Sequence, residues 1–337
     1  MKRPVFAEAT PKLTVLKITS VFILLIMAGA CASFPPAPEK TQAPRLEAEA
    51  IVSIDGARLG LSRWESENPK AIIIAVHGMN DYAYGFDRAG NWWAAEADIT
   101  TYGYDQRGFG RSPAPGRWPG NDALIADLRA VIDAVIERHQ DLPIYVVGHS
   151  MGAGVILASM KEASLPVTGV VLAAPGVWGG SQLPIIYRAS VNIAAAIAPG
   201  KSLTGERAAR QATDNIPVLR EMQADPFVVK ETRIDAVLGV VRIMGEAYDA
   251  SDEVGGDILF LLGEKDEIIP VKSMERAADR LCGDVDIRRY EDGWHMLFRD
   301  LQAENVWRDI AGWVEQKNAA GRERAEGPAA LSCANGS

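Results

Sequence analysis

Three runs of the chain are apolar at every position and bounded by turn formers or polar residues: 71–76, 144–147 and 258–262. They are too short for buried helices and lack polar alternation, so they predict strands buried on both faces of a parallel sheet. Residues 99–104, 167–173 and 285–290 predict further strands of the same sheet. Between them the period changes. In 122–138 the apolar residues Leu124, Ile125, Leu128, Val131, Ile132 and Val135 fall on one helical face. Residues 85–97, 151–161, 272–281 and 301–316 also predict helices. The segments 47–54 and 58–65 flank Asp55-Gly56 and predict an opening hairpin. Alternating buried strands and amphipathic helices define an α/β fold, a mostly parallel central sheet with helices on both faces.

The alternation stops between Gly176 and Ser251. That stretch has no convincing buried strand but several apolar helical patches, among them Ile185-Ile186, 191–197, and Val237, Val240, Val241 and Met244. It predicts a helical cap, 177–251, inserted into a core of 45–176 and 252–318, with a disordered tail over 319–337. No internal repeat is visible.

Composition changes the picture at the N-terminus. Lys2, Arg3, Lys12 and Lys17 precede an apolar run over 18–30, and Ala28-Gly29-Ala30 leads into Cys31. This run of 13 residues is within signal-peptide range and short of the ~20 a spanning helix needs. Residues 1–30 are therefore expected to be a signal peptide. Cys31 resembles the acylated cysteine of a bacterial lipobox, which implies a lipid-anchored protein of the cell envelope. Ala28 stands where that motif usually has Leu, which leaves cleavage after Ala30 or Ala32, and a soluble secreted or periplasmic protein, as the alternative. Residues 31–44 are Pro-rich and expected to form an extended tether. The net charge is −9, and with the basic leader set aside the remainder is about −12. No basic stripe is left to neutralise phosphates, which argues against nucleic acid as a partner.

The chemistry centres on Gly148-His149-Ser150-Met151-Gly152, a G-x-S-x-G pentapeptide between a predicted strand and a predicted helix. So tight a turn strains the residue at its apex, and the glycines leave room for it. It holds the Ser150 hydroxyl at a helix N-terminus, where N–H groups favour developing negative charge. A serine nucleophile needs a base, and the base an orienting acid. Of four histidines, His149 leaves the elbow in another direction, His77 suits loop shaping, and His139 ends a helix on a solvated face. His295, between the last strand and last helix, remains. The acid is sought past the strand 258–262, because catalytic groups of open α/β sheets gather at carboxyl ends of strands. Asp266 is the candidate there, with Glu264 and Glu267 as competitors and Asp292 too near His295 in sequence. Backbone N–H groups of Met151 and Met79 are candidate oxyanion donors. No metal-ligand cluster appears, and no cofactor is expected.

These motifs, together with His77-Gly78-Met79, Tyr104-Asp105-Gln106-Arg107-Gly108-Phe109-Gly110, Gly263-Glu264-Lys265-Asp266 and Gly293-Trp294-His295, occur in the order of a known family. Over residues 45–316 the chain resembles an α/β-hydrolase of the monoacylglycerol lipase and lysophospholipase type. The resemblance implies a Ser150–Asp266–His295 triad, a scaffold role for Asp105 and Arg107, and a cap with Asp214 and Asp225-Pro226. It also implies a lipid-like monoacyl ester as substrate. Asp81 and Tyr82 depart from the family pattern. Ile185, Ile186, Ile193, Val240, Val241 and Met244 are expected to roof an acyl groove, against the plainer reading that they pack the cap itself. A peptidase, thioesterase or acyltransferase on the same fold stays open, as does a non-catalytic envelope binding protein.

Overall fold

A computed structural model describes residues 34–161, 163–204 and 210–325. The expected signal peptide, Cys31 and residues 326–337 lie outside the described residues.

The strands are β1 (Arg45–Leu46), β2 (Ala50–Val52), β3 (Arg58–Trp64), β4 (Ala71–Val76), β5 (Ile99–Tyr104), β6 (Ile144–His149), β7 (Gly169–Ala173), β8 (Ser202–Thr204), β9 (Glu231–Arg233), β10 (Gly255–Gly263) and β11 (Cys282–Tyr290). Nine form one sheet in the order β1-β2-β3-β5-β4-β6-β7-β10-β11, and β8 pairs with β9 apart from it. The hairpin edge, β1 to β3, is antiparallel, and β3 runs antiparallel to β5. From β5 to β11 every pairing is parallel. Ile72, Ile73, Ile74, Val146, Val147 and Leu259 have no solvent exposure, as a sheet covered on both faces requires.

The helices are α1 (Asp87–Glu96), α2 (Asn121–Arg138), α3 (Met151–Met160), α4 (Ile185–Ile197), α5 (Ile216–Ala224), α6 (Ile234–Ala250), α7 (Val271–Ala278) and α8 (Ala303–Ala325). The helix expected over 85–97 is split, a 3-10 turn at Ala83–Phe86 preceding α1.

Three expectations need correction. Residues 34–44 are not a free tether. Phe34 packs 6.5 Å from the Trp118 ring and carries the Arg242 guanidinium 5.1 Å over its own ring. The Thr41 and Gln42 N–H groups both donate to the Ile54 carbonyl. A Pro-rich chain has little conformational freedom left to lose, so the Phe34 anchor and these hydrogen bonds dock it at a small entropic cost. The tail does not begin at 319, because α8 runs on to Ala325. Ala319, Ala320, Arg322, Glu323, Arg324 and Ala325 are good helix formers that outweigh Gly321. Finally, α6 is as much a core helix as a cap helix. It packs along α3, and Ile243, Ala247 and Ala250 are buried in the main core.

Candidate active site

Ser150 has φ 53 and ψ −115, a left-handed conformation that only an over-determined turn maintains. Its N–H donates to Ala173 O at 2.9 Å, and its carbonyl accepts from Gly154 N–H at 3.0 Å and Gly176 N–H at 2.8 Å. Glycine is needed at 152 because a Cβ there would lie 2.1 Å from the Val76 carbonyl oxygen. The first turn of α3 can therefore lie directly against the end of β4, which brings the loop 77–82 over the elbow.

Asp266 follows β10 and His295 follows β11, so sheet order brings both to the edge where β6 ends. Ser150 Oγ–H donates to His295 Nε2 at 2.9 Å, and His295 Nδ1–H donates to Asp266 Oδ2 at 2.7 Å. Asp266 Oδ1 accepts the N–H groups of Ile268 at 2.8 Å and Ile269 at 2.9 Å. One carboxylate oxygen thus stays on the backbone while the other orients the imidazole. The Asp266 and His295 side chains are almost wholly buried. Glu264 and Glu267 are exposed, and Asp292 pairs with Lys265 at the surface.

The other histidines are placed as follows. His77 is buried, accepts the Gln106 N–H at Nε2 and donates from Nδ1 to Gly78 O, which shapes the loop. Burial holds its pKa below the ordinary value. His139 is not simply solvated: it is half-buried and hydrogen-bonded by the Tyr102 hydroxyl at 2.8 Å. His149 has a role that sequence reasoning missed. Its Nε2–H donates to the His295 carbonyl at 2.8 Å, so adjacent elbow residues hold both ends of His295. Burial, and after it the neighbouring His295, push the His149 pKa down to about 4, which keeps it a neutral donor.

The loop with Met79 is fixed against the elbow, since a Cβ on Gly78 would lie 3.3 Å from Ser150 Cβ. Among the described residues neither the Met79 nor the Met151 N–H is committed to a loop or turn carbonyl. Asp105 accepts from Ala83 N–H and Arg111, while Arg107 joins Asp55 to Asp127, so both act as scaffold. Also unforeseen were the Asp81–Arg299 ion pair at 2.8 Å and Asp300, whose Oδ2 accepts Trp294 N–H at 2.8 Å. Burial raises the Asp300 pKa to about 6. Asp81 was visible in the sequence only as a departure from a pattern; its partner lies 218 residues away.

The six roof candidates separate into two groups. Val240 and Met244 pack against the core from α6, and Val241, half-buried, lies on the same helix beside Gly179. Ile185, Ile186 and Ile193 stand on α4 with exposures of 74%, 69% and 41%. They do not form a closed roof in this conformation. The helix turns Val191, Ala194 and Ala195 inward against Ile234 and Leu238 instead.

A mostly parallel sheet with a serine elbow after β6, an acid after β10 and a histidine after β11 is the architecture of an α/β-hydrolase. Residues 67–302 match the family described as serine aminopeptidase, S33, and the chain belongs to that family. It is similar to the monoacylglycerol lipase of Mycolicibacterium smegmatis, 24% identical over 273 residues that cover 79% of this chain and 95% of that protein. It is similar also to the monoglyceride lipase of Mus musculus, 23% identical over 284 residues covering 80% and 91%. Among solved structures, a soluble variant of monoglyceride lipase from Saccharomyces cerevisiae in complex with a substrate analog superposes with a TM-score of 0.69 at 18% identity. That superposition covers 84% of this chain and 99% of the yeast one.

Proposed function

We propose that this protein is a serine hydrolase of carboxylic esters, acting on monoacylglycerol- or lysophospholipid-like substrates through an acyl-enzyme. The observation that carries the reading is the continuous line from Ser150 Oγ through the His295 imidazole to Asp266. In this mechanism His295 Nε2 takes the Ser150 proton as Oγ attacks the ester carbonyl, and Asp266 stabilises the imidazolium that forms. The carbonyl oxygen becomes an oxyanion and receives the N–H groups of Met79 and Met151. Collapse expels the alcohol, which takes its proton from His295, and water then repeats the sequence to release the acid. The similarity to monoacylglycerol and monoglyceride lipases supports the substrate class.

A membrane location fits such a substrate. Cys31 is three residues from Phe34, which packs against the inner face of α4, and three residues span at most about 11 Å. A lipid on Cys31 would therefore enter the bilayer close to the helix that exposes Ile185, Ile186 and Ile193. Among the described residues no helix is long and apolar enough to cross a membrane. Cys31→Ser should move the protein from the membrane to the soluble fraction, and an unlabelled Cys31 after feeding a radioactive fatty acid would refute the anchor.

The family's description favours a second reading, a peptidase on the same site. A panel of monoacylglycerols, lysophospholipids, p-nitrophenyl esters and aminoacyl p-nitroanilides separates the two. Turnover of the anilides with inert esters would replace the ester reading.

A further inference from the structure

Met79 lies between two sets of anchors. Upstream, His77 is bonded to Gln106 and Gly78 is pressed against the elbow. Downstream, three consecutive residues leave the loop for other units. Asn80 adopts a left-handed φ of 65, accepts Val229 N–H at its carbonyl at 2.9 Å, and donates from Nδ2 to Thr232 Oγ1 at 2.7 Å. Asp81 pairs with Arg299 at 2.8 Å, on the loop that carries His295. The Tyr82 hydroxyl donates to Asp225 Oδ2 at 2.7 Å, and its ring packs 5.6 Å from that of Phe227. Asp225 in turn accepts the Phe227 N–H at 2.8 Å, which fixes the turn it stands on.

Asp225, Phe227, Val229 and Thr232 all belong to one short connection, from the end of α5 to the start of α6. The loop bearing the Met79 amide is thus tied to the core through Gly78 and Asp81, and to the returning segment of the cap through Asn80 and Tyr82. An oxyanion donor stabilises a transition state only when held within a fraction of an ångström of where charge develops. Asn80 follows Met79 directly, and its carbonyl and its side-chain amide both bond to the cap segment.

We propose that Asn80, Tyr82 and Thr232 are positioning residues through which the cap segment 225–233 holds the Met79 N–H in the oxyanion hole. The proposal rests on the reading of Ser150 as nucleophile and Met79 as donor. It makes the seated cap part of the catalytic geometry, in addition to any contact it makes with an acyl chain. Removing a donor outright costs about 10²–10³ in turnover, so loosening one by cutting a tether should cost about 10-fold.

The test uses the full chain and p-nitrophenyl butyrate, a soluble ester too short to report on an acyl groove. Thr232→Val and Tyr82→Phe should each lower kcat about 10-fold with KM within about twofold. Labelling by a fluorophosphonate should slow in parallel, because its phosphoryl oxygen takes the same two N–H groups. Thr232→Ser should restore wild-type kcat, and the acid limb of the pH–rate profile should not move in any variant. Should Tyr82→Phe fold poorly, the Thr232 pair decides alone. Unchanged kcat in Thr232→Val, a loss confined to KM, or failure of Thr232→Ser to restore turnover would overturn the proposal. An inert wild-type protein, or a Ser150→Ala variant as active as wild type, would instead overturn the functional reading on which it rests.

Discussion

Isoleucine behaves in opposite ways in the two halves of this molecule. Ile72, Ile73 and Ile74 on β4 have no solvent exposure, whereas Ile185, Ile186 and Ile197 on α4 are exposed at 74%, 69% and 76%. Both sets stood out in the sequence as apolar runs. In the core the sheet has helices on each face, so the apolar positions of its central strands find partners within the chain. On α4 only one side finds a partner, the small Val191, Ala194 and Ala195, and the larger side chains are left facing out. Apolar patterning therefore tells where a face wants to leave water, but not whether the chain itself supplies the cover. The core half closes on itself, and α4 leaves one face uncovered.

The largest effect should follow from breaking that geometry. Ser150→Ala and His295→Ala should each lower ester hydrolysis by about 10⁴-fold or more while the melting temperature stays close to wild type. Asp266→Asn should lose about 10⁴-fold, since Oδ1 still binds two backbone N–H groups while the new NH₂ faces His295 Nδ1 and favours the wrong tautomer. Near-normal turnover in Ser150→Ala would remove the serine mechanism altogether.

The core was legible because its signals are local and redundant. Strand β4 is bounded by the residues its apolar run suggested, Ala71 and Val76, and the elbow is a pentapeptide between a strand and a helix. Ser150, Asp266 and His295 could be singled out as candidates because strand ends converge at one edge of a parallel sheet. What stayed hidden depends on partners far apart in the chain. Tyr82 and Asp225 are 143 residues apart, Asn80 and Thr232 152, and His149 meets the His295 carbonyl across 146. Single polar residues carry no periodicity, so nothing in the sequence marks whom they meet. The docking of 34–44 was missed for a related reason: Pro-rich composition reports stiffness, and says nothing of the distant Trp118 ring that Phe34 meets.

A pH titration probes the buried polar side of the core. His149 is held at about 4, below its ordinary 6.5, so the unfolded chain binds its proton first as pH falls. Its contribution is present above about pH 6.5 and lost between there and pH 4, up to about 3 kcal/mol. His77 acts in the same direction. Asp300 acts oppositely: its folded pKa of about 6 lies above the ordinary 3.8, so its contribution falls as pH rises through that window. Urea unfolding should therefore show a net loss of stability on acidification, flattened in His149→Gln and steepened in Asp300→Asn. A stability curve unchanged between pH 4 and 7 in both variants would contradict the assignment.

The smallest effect is the one that most sharpens the contrast between the halves. If the exposed face of α4 meets lipid or acyl chain, replacing Ile185 and Ile186 by Asp removes contacts made only with substrate or membrane. Each methylene withdrawn from water is worth about 0.8 kcal/mol, so loss of two such contacts should cost about 10-fold in kcat/KM on a C8–C12 ester. The same double variant should hydrolyse the acetate within about twofold of wild type and melt at the same temperature, because neither side chain is buried in the fold. Val240→Asp or Met244→Asp should behave otherwise. Those side chains pack against the core, so a carboxylate there should destabilise the protein by about 2–4 kcal/mol and depress both esters alike. Equal losses on both esters from the α4 variant would mean that its isoleucines face outward without serving substrate. In that case the lipid-like reading would rest on the similarity to lipases alone.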